Sequence, residues 1–297
     1  QTINVIYTTD VHGSIFPYDF TTGKELDNSL SHVCRFVESV RDTSDNVIVL
    51  DNGDFLQGTP ASYYYNFVDT RSRHLEAQVY NYIGVDALTV GNHDIETGHD
   101  VYDRVRKDMN MPWLAANVID TKSGDPYFQP YTIVERSGKR IAIIGLLTPN
   151  IPNWLSEHLW QGMAFEDMVE SAAKWVKIVR EKEKPDAIIG LFHSGYDYTY
   201  GGNLADTPKN ENASVLVAER VDGFDAILIG HDHGLHNVTH KSPSGHDVVV
   251  LDAGTAARNV GLLSIGFGKD GRPTCSAKLV PLKGVGKSEK FDQYFAR

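Results

Sequence analysis

The chain has few cysteines, no long apolar run, no excess of basic charge and no repeated or low-complexity stretch. Each absence narrows what it can be. Its two cysteines, Cys34 and Cys275, stand far apart in 297 residues. They form no CxxC pair and no disulfide framework, and they read as plain buried thiols. The longest apolar run, residues 141–147, is far shorter than the ~20 residues that cross a bilayer, so no membrane span is expected. Lys and Arg number 28 against 39 Asp and Glu, a formal net charge of −11. A chain with that balance does not track a nucleic-acid polymer, which requires a basic face toward the phosphates. An anionic substrate has to be drawn in by a local positive feature instead. No secretory signal is visible. The chain begins at Gln1 without an initiator Met, so a mature or trimmed product is expected.

What is present is an ordinary globular composition, 41% hydrophobic and 23% charged, enough for a sizeable core. Short β-branched runs at residues 3–9, 47–50, 87–90, 187–192 and 226–229 each stop at a polar, glycine-containing segment. Amphipathic stretches lie at 30–41, 73–82, 101–109 and 165–183; in the last, Met168, Ala172, Trp175 and Val179 recur at helical spacing. Strands alternating with helices predict a layered α/β domain. Runs 141–147 and 187–192 are continuously apolar, as strands covered on both faces are. The late runs 248–251, 260–267 and 275–282 are separated by glycine-rich turns with no helix between them, which predicts an antiparallel region. Residues 198–211 read as a long loop. The whole of 1–297 reads as one domain.

The informative feature is where the polar segments sit. Each follows the carboxyl end of a predicted strand, the edge at which ligands bind in open α/β sheets. They carry Asp10 and His12; Gly53 and Asp54; Asn92, His93 and Asp94; His193; and His231, Asp232 and His233. Taken singly, each has an ordinary explanation as a turn, a helix cap or a structural histidine. All five in order, each after a strand, form a constellation. Imidazole and carboxylate donors without Cys suit a pair of borderline divalent metals such as Zn, Mn or Fe, and not a structural zinc cage. Asp10 and His12, two apart on an extended segment, point the same way; so do His231 and His233, with Asp232 turned away. Asp94 and Asp252 are candidates to accept the second N–H of a ligand histidine.

These motifs resemble the signature of the calcineurin-like metallophosphoesterases, D-x-H, G-D, G-N-H-[DE], a lone His and G-H-x-H. The similarity is greatest to the branch of 5′-nucleotidases and 2′,3′-cyclic-nucleotide phosphodiesterases. Phe55, Leu56, Gln57, Gly58, Thr59 and Pro60 after Asp54, with Ala116, Asn117 and Val118, carry that finer likeness. The resemblance implies an α-β-β-α sandwich of two mixed sheets flanked by helices. It implies two divalent metals, one on Asp10, His12 and His233, the other on Asn92, His193 and His231, with Asp54 and a water or hydroxide between them. It assigns His93 to the transition state and leaving group. The carboxylate that orients this histidine is usually an Asp three residues on; here Glu96 stands there, one methylene longer.

The resemblance also implies a phosphoester hydrolase acting on nucleotides, by attack of the bridging hydroxide. The stretch around Tyr18 favours 2′,3′-cyclic phosphodiesterase and 3′-nucleotidase activity over 5′-nucleotidase activity. Asn117, Tyr18 and Arg258 are candidate substrate contacts. A related dimetal hydrolase (a UDP-sugar hydrolase or a thiosulfohydrolase) and a non-catalytic binding module are the alternatives. The nucleotide-binding C-terminal domain typical of such enzymes is not expected within 1–297, so a domain supplied in trans is a possible partner. A periplasmic, cell-surface or secreted location is expected. Asn212 and Asn237 match the glycosylation sequon, a match that often arises by chance, and His32, His74, His99, His158, His236, His240 and His246 read as structural or exposed.

Overall fold

The computed structural model describes residues 1–296. Two six-stranded mixed sheets lie face to face. The first runs Pro273–Pro281, Asn259–Phe267, Thr2–Thr8, Val47–Asp51, Ala87–Thr89, Trp113–Leu114; the second runs Leu235–Lys241, Asp247–Ala253, Ala226–Ile229, Ala187–His193, Lys139–Leu147, Tyr131–Arg136. Side-chain alternation explains the layering. In the first strand Ile3, Val5 and Tyr7 point between the sheets. There they meet Ile48 and Leu50 and, from the second sheet, Ile141, Ile143, Ile189, Leu191, Leu228 and Leu251. Ile6 points the other way, into a core with Leu30, Val33, Val37, Tyr80 and Val105 from the helices outside the first sheet. Ala142, Ile144, Ile188 and Ile227 face Met168, Ala172, Val176 and Val179 of the helix over the second sheet. Each buried Val, Leu, Ile or Met side chain among these contributes about 1.5–3 kcal/mol. The layers are helices, sheet, sheet, helices.

The helix Leu30–Arg41 starts where Ser29 caps it by accepting from the His32 N–H at 3.3 Å, and Met168–Glu183 starts at Asp167, which accepts from Val169 and Glu170. The tail of the chain matches the expected antiparallel region in part: Asn259–Phe267 and Pro273–Pro281 pair antiparallel, but not with Asp247–Ala253. Asp247–Ala253 joins the second sheet parallel to Ala226–Ile229, while Asn259–Phe267 and Pro273–Pro281 cross to extend the first. The two sheets compete for these strands, and chain order alone does not decide between them. Two second-sheet strands, Tyr131–Arg136 and Leu235–Lys241, have polar, partly exposed faces and no apolar run. The parallel strand ends converge on one edge, and Tyr7 ties the sheets together beneath it: its buried hydroxyl lies 3.0 Å from the Ile229 carbonyl and 2.8 Å from that of Leu251.

Candidate metal centre

At that edge the loops leaving five strands bring seven side chains together. His12 Nε2 lies 3.1 Å from His233 Nε2, and Asp10 Oδ1 lies 3.4 Å from His233 Nε2 and 3.8 Å from His12 Nε2. On the other side His193 Nε2 and His231 Nδ1 lie 3.1 and 3.0 Å from Asn92 Oδ1. Asp54 stands between the two groups, its Oδ2 3.1 Å from His193 Nε2 and 3.9 Å from His12 Nε2.

The backbone that achieves this is not the extended alternation expected from sequence. Asp10, His12, Asp54, His231 and His233 all have left-handed φ, between 48° and 77°; they make up half of the ten positive-φ non-glycine residues among those described. Such a conformation is costly for most side chains, and its clustering marks a strained, over-determined site. Two glycines make room for it. A Cβ at Gly91 would overlap the Asp54 carboxylate, and one at Gly230 would overlap Thr9 and Asp10. Asp232 does turn away from the cage, because both its neighbours are left-handed; it accepts from the N–H groups of Tyr196 and Gly234.

The donor set fits a cation. Asp10 is fully buried; its Oδ2 accepts from the His231 N–H at 2.9 Å, but Oδ1, the oxygen aimed at the imidazoles, has no hydrogen-bond partner. Burial disfavours a charged His193, yet Asp54 and Asp10 outweigh it and raise the pKa to about 10. The negative field that would hold a proton there would equally hold a divalent ion. The nitrogens that face away from the cage are held. His193 Nδ1 donates to the Asn52 carbonyl at 2.6 Å, and His12 Nδ1 faces Gln57 at 2.8 Å. His231 Nε2 faces the Glu211 carboxylate at 3.3 Å.

His93 and Glu96 sit at the rim. His93 Nδ1 is 2.5 Å from Glu96 Oε2, so the longer carboxylate still reaches, and Nε2 makes no hydrogen bond among the described residues. Burial lowers the pKa of His93, but the charges of Asp54 and Glu96 outweigh that and leave it raised. Asp54 Oδ1 accepts from the His93 N–H at 2.8 Å, so one carboxylate reaches both the cage and the rim. Two cavities meet at this pair. One, of about 570 Å³, is walled by Trp154, Tyr200 and Glu211; the other, of about 460 Å³, by Pro60, Tyr63 and Phe67. A larger groove, about 1170 Å³, holds Tyr18, Phe20 and Tyr294 and none of the seven side chains.

Several sequence expectations change here. Asp94 does not pair with a ligand histidine. Its two oxygens accept from the N–H groups of Gly91, Asp54, Phe55 and Leu56, so it shapes the Asp54 loop instead. Asp252 faces Asp232, not a cage histidine. Asn117 is fully buried, and its carboxamide bonds the backbone of Leu147 and Glu166. Arg258 is exposed on the loop that clamps the Asp10 carbonyl through Thr255 and Ala256. Asn212 is buried and accepts from Gly195. Both cysteines are free thiols, as expected, but only Cys34 is buried; Cys275 is half-buried. Two residues were missed, Glu211 and Trp154, whose indole stacks on His231 at 5.4 Å. Trp154 ends the short helix Ile151–Trp154 that follows a strand ending at the same edge, so the strand-end rule could have flagged it; Glu211 has no local signal.

Residues 3–235 match the family described as calcineurin-like phosphoesterase. Over 249 residues the chain is 30% identical to the trifunctional nucleotide phosphoesterase protein YfkN of Bacillus subtilis, covering 78% of this chain and 17% of that protein. It is 29% identical over 245 residues to a 2′,3′-cyclic-nucleotide 2′-phosphodiesterase/3′-nucleotidase of Yersinia enterocolitica, covering 78% of this chain and 36% of that protein. The crystal structure of the calcineurin-like phosphoesterase YfkN from Bacillus subtilis matches with a TM-score of 0.85 at 25% identity, covering 99% of this chain and 96% of that one. The chain thus spans less than half the length of these curated relatives.

Proposed function

This chain belongs to the calcineurin-like phosphoesterase family, and from that membership we propose that it hydrolyses phosphoesters of nucleotides with two divalent ions. The observation that carries the reading is the pair of three-residue donor groups, Asp10, His12, His233 and Asp54, His193, His231, beside the His93–Glu96 pair. Asp10, His12 and His233 would hold one ion, Asn92, His193 and His231 the other, and Asp54 both; Zn, Mn and Fe all suit these donors. When bound, the ions neutralise phosphoryl oxygens and activate water. That also gives an acidic protein a locally positive site for an anionic substrate. His93 keeps a proton through the charges of Asp54 and Glu96 and delivers it to the departing ester oxygen; Glu96 fixes the ring by accepting from Nδ1–H.

Glu211 orients His231 from behind. Glu211→Gln is expected to weaken one of two metal affinities by about 10–100-fold and leave the other unchanged, read by competition with a chromophoric chelator. Two unchanged affinities would remove Glu211 from the site.

We place the substrate among 2′,3′-cyclic and 3′-nucleotides ahead of 5′-nucleotides. The leaning follows the Yersinia relative's name and the stretch around Tyr18. The base of a nucleotide would be held in part by a second domain, on the same chain or in trans, and the protein would work in the periplasm or at the cell surface. The test is a panel of nucleoside 5′-, 3′- and 2′,3′-cyclic phosphates with bis(p-nitrophenyl) phosphate, run on residues 1–297 with added Mn²⁺. The chromogenic diester is expected to turn over while nucleotides give a low kcat/KM. A high nucleotide kcat/KM without a partner would refute the need for a second domain, and no turnover of any phosphoester would refute the reading itself.

A further inference from the structure

A third cluster of ligand-type side chains lies on the outer side of the turn that carries His231 and His233. His236 and Asp252 are direct cross-strand partners where Leu235–Lys241 pairs with Asp247–Ala253, and Asp232 leaves the turn just before them. One donor atom from each lies within 4.8 Å of the other two. Asp252 is fully buried. Its Oδ1 lies 3.4 Å from the Gly254 N–H, its Oδ2 has no hydrogen-bond partner, and the polar group it faces is the Asp232 carboxylate. A buried carboxylate oxygen without a donor, with a second carboxylate and an imidazole nitrogen around it, is an unfilled polar position of the kind a cation occupies.

The surroundings favour the cation. Asp232 is anchored by the N–H groups of Tyr196 at 2.8 Å and Gly234 at 2.9 Å, one to each oxygen, which leaves each oxygen a further lone pair. His236 is stacked on the Tyr196 ring, centroids 4.3 Å apart and planes 13° from parallel, and its Nε2 points toward the pair, 3.9 Å from Asp232 Oδ2. A proton shared between two carboxyls needs no imidazole. Two carboxylates and an imidazole nitrogen are a donor set for borderline divalent ions of the Zn²⁺ and Mn²⁺ class, more than for Ca²⁺ or Mg²⁺.

We propose that Asp232, Asp252 and His236 bind a third divalent cation, of the Zn²⁺ or Mn²⁺ class, distinct from the two positions at the cage. It ties the turn bearing His231 and His233 to the end of the Asp247–Ala253 strand, and so stiffens a segment that supplies one ligand to each cage position. It also neutralises the carboxylates packed behind Asp10.

The test is equilibrium dialysis of the full chain, first stripped with a chelator, against Zn²⁺ or Mn²⁺, with metal counted per chain by mass spectrometry. Three equivalents are expected for the wild type and two for Asp252→Asn and for His236→Gln, with both cage positions still filled. The metal-dependent rise in Tm is expected to shrink in both variants. If Asp252→Asn does not fold, His236→Gln, altered at a half-exposed ring, decides the matter alone. Two equivalents in the wild type would overturn the proposal and leave a shared proton between the carboxyls. A third equivalent that persists in both variants would overturn it too, by placing that ion elsewhere.

Discussion

His93→Ala is expected to keep its metal and to lose about 10²–10⁴-fold in kcat, the range that a positioned proton donor contributes. The geometry separates these two readouts. His93 lies beside Asn92, but its ring points to the rim, with Nδ1 on Glu96. Its hydrogen bond to the cage is through its own backbone N–H, donated to Asp54, and that survives truncation of the side chain, which removes only an edge-on contact with the His12 ring at 5.4 Å. Glu96→Gln is expected to lose part of the same factor, because the carboxamide replaces a charged acceptor at Nδ1 with a neutral one. Metal content, kcat and KM measured together decide the case. Unchanged turnover in His93→Ala would remove this residue from the chemistry; lost metal would make it a structural element of the cage.

Removing the Asp54 carboxylate is expected to have the opposite signature. Asp54→Ala should strip metal, weakening it by more than the ~10²-fold that a mere hydrogen-bonding partner of a ligand is worth, and should abolish turnover. One carboxylate does three things here. Its Oδ2 faces His193 at 3.1 Å and His12 at 3.9 Å, and its Oδ1 accepts from His93 at 2.8 Å. Burial alone would raise its pKa, but the histidines around it, His193 foremost, hold it well below the usual carboxylate range. Alanine at this position is also strained, since φ is 59° and a left-handed alanine costs about 1–2 kcal/mol. Asp54→Asn is therefore the cleaner test. Asparagine tolerates that backbone, keeps an oxygen for the His93 N–H and loses only the charge and half the donor capacity. A fully loaded Asp54→Ala or Asp54→Asn protein would contradict the bridging role.

The helix Leu30–Arg41 matches the amphipathic stretch read from sequence, and Ala226–Ile229 matches its β-branched run. Both signals are local, because a period of 3.6 or 2 is written in consecutive residues. Edge strands carry no such signal. Leu235–Lys241 has polar residues on both faces and forms only because Asp247–Ala253 offers it a ladder. The convergence of Asp10 with His12 was legible, but the reason for it was not. Alternation predicts that residues two apart point together; the structure reaches the same end through two left-handed residues held by the Asp54 loop.

Residue type and order at the strand ends were enough to determine the donor chemistry of this protein. The carboxyl edge of a parallel strand is a local property, and Asp, Asn and His placed there have few other uses. What surrounds the donors was decided only by tertiary structure. Glu211 behind His231, Trp154 across its ring, Asp94 under the Asp54 loop and Asp252 against Asp232 are contacts between segments 20 to 77 residues apart in sequence. No periodicity encodes such a meeting. It follows from how two sheets close on a shared core, and burial then determines which of these carboxylates must find a partner.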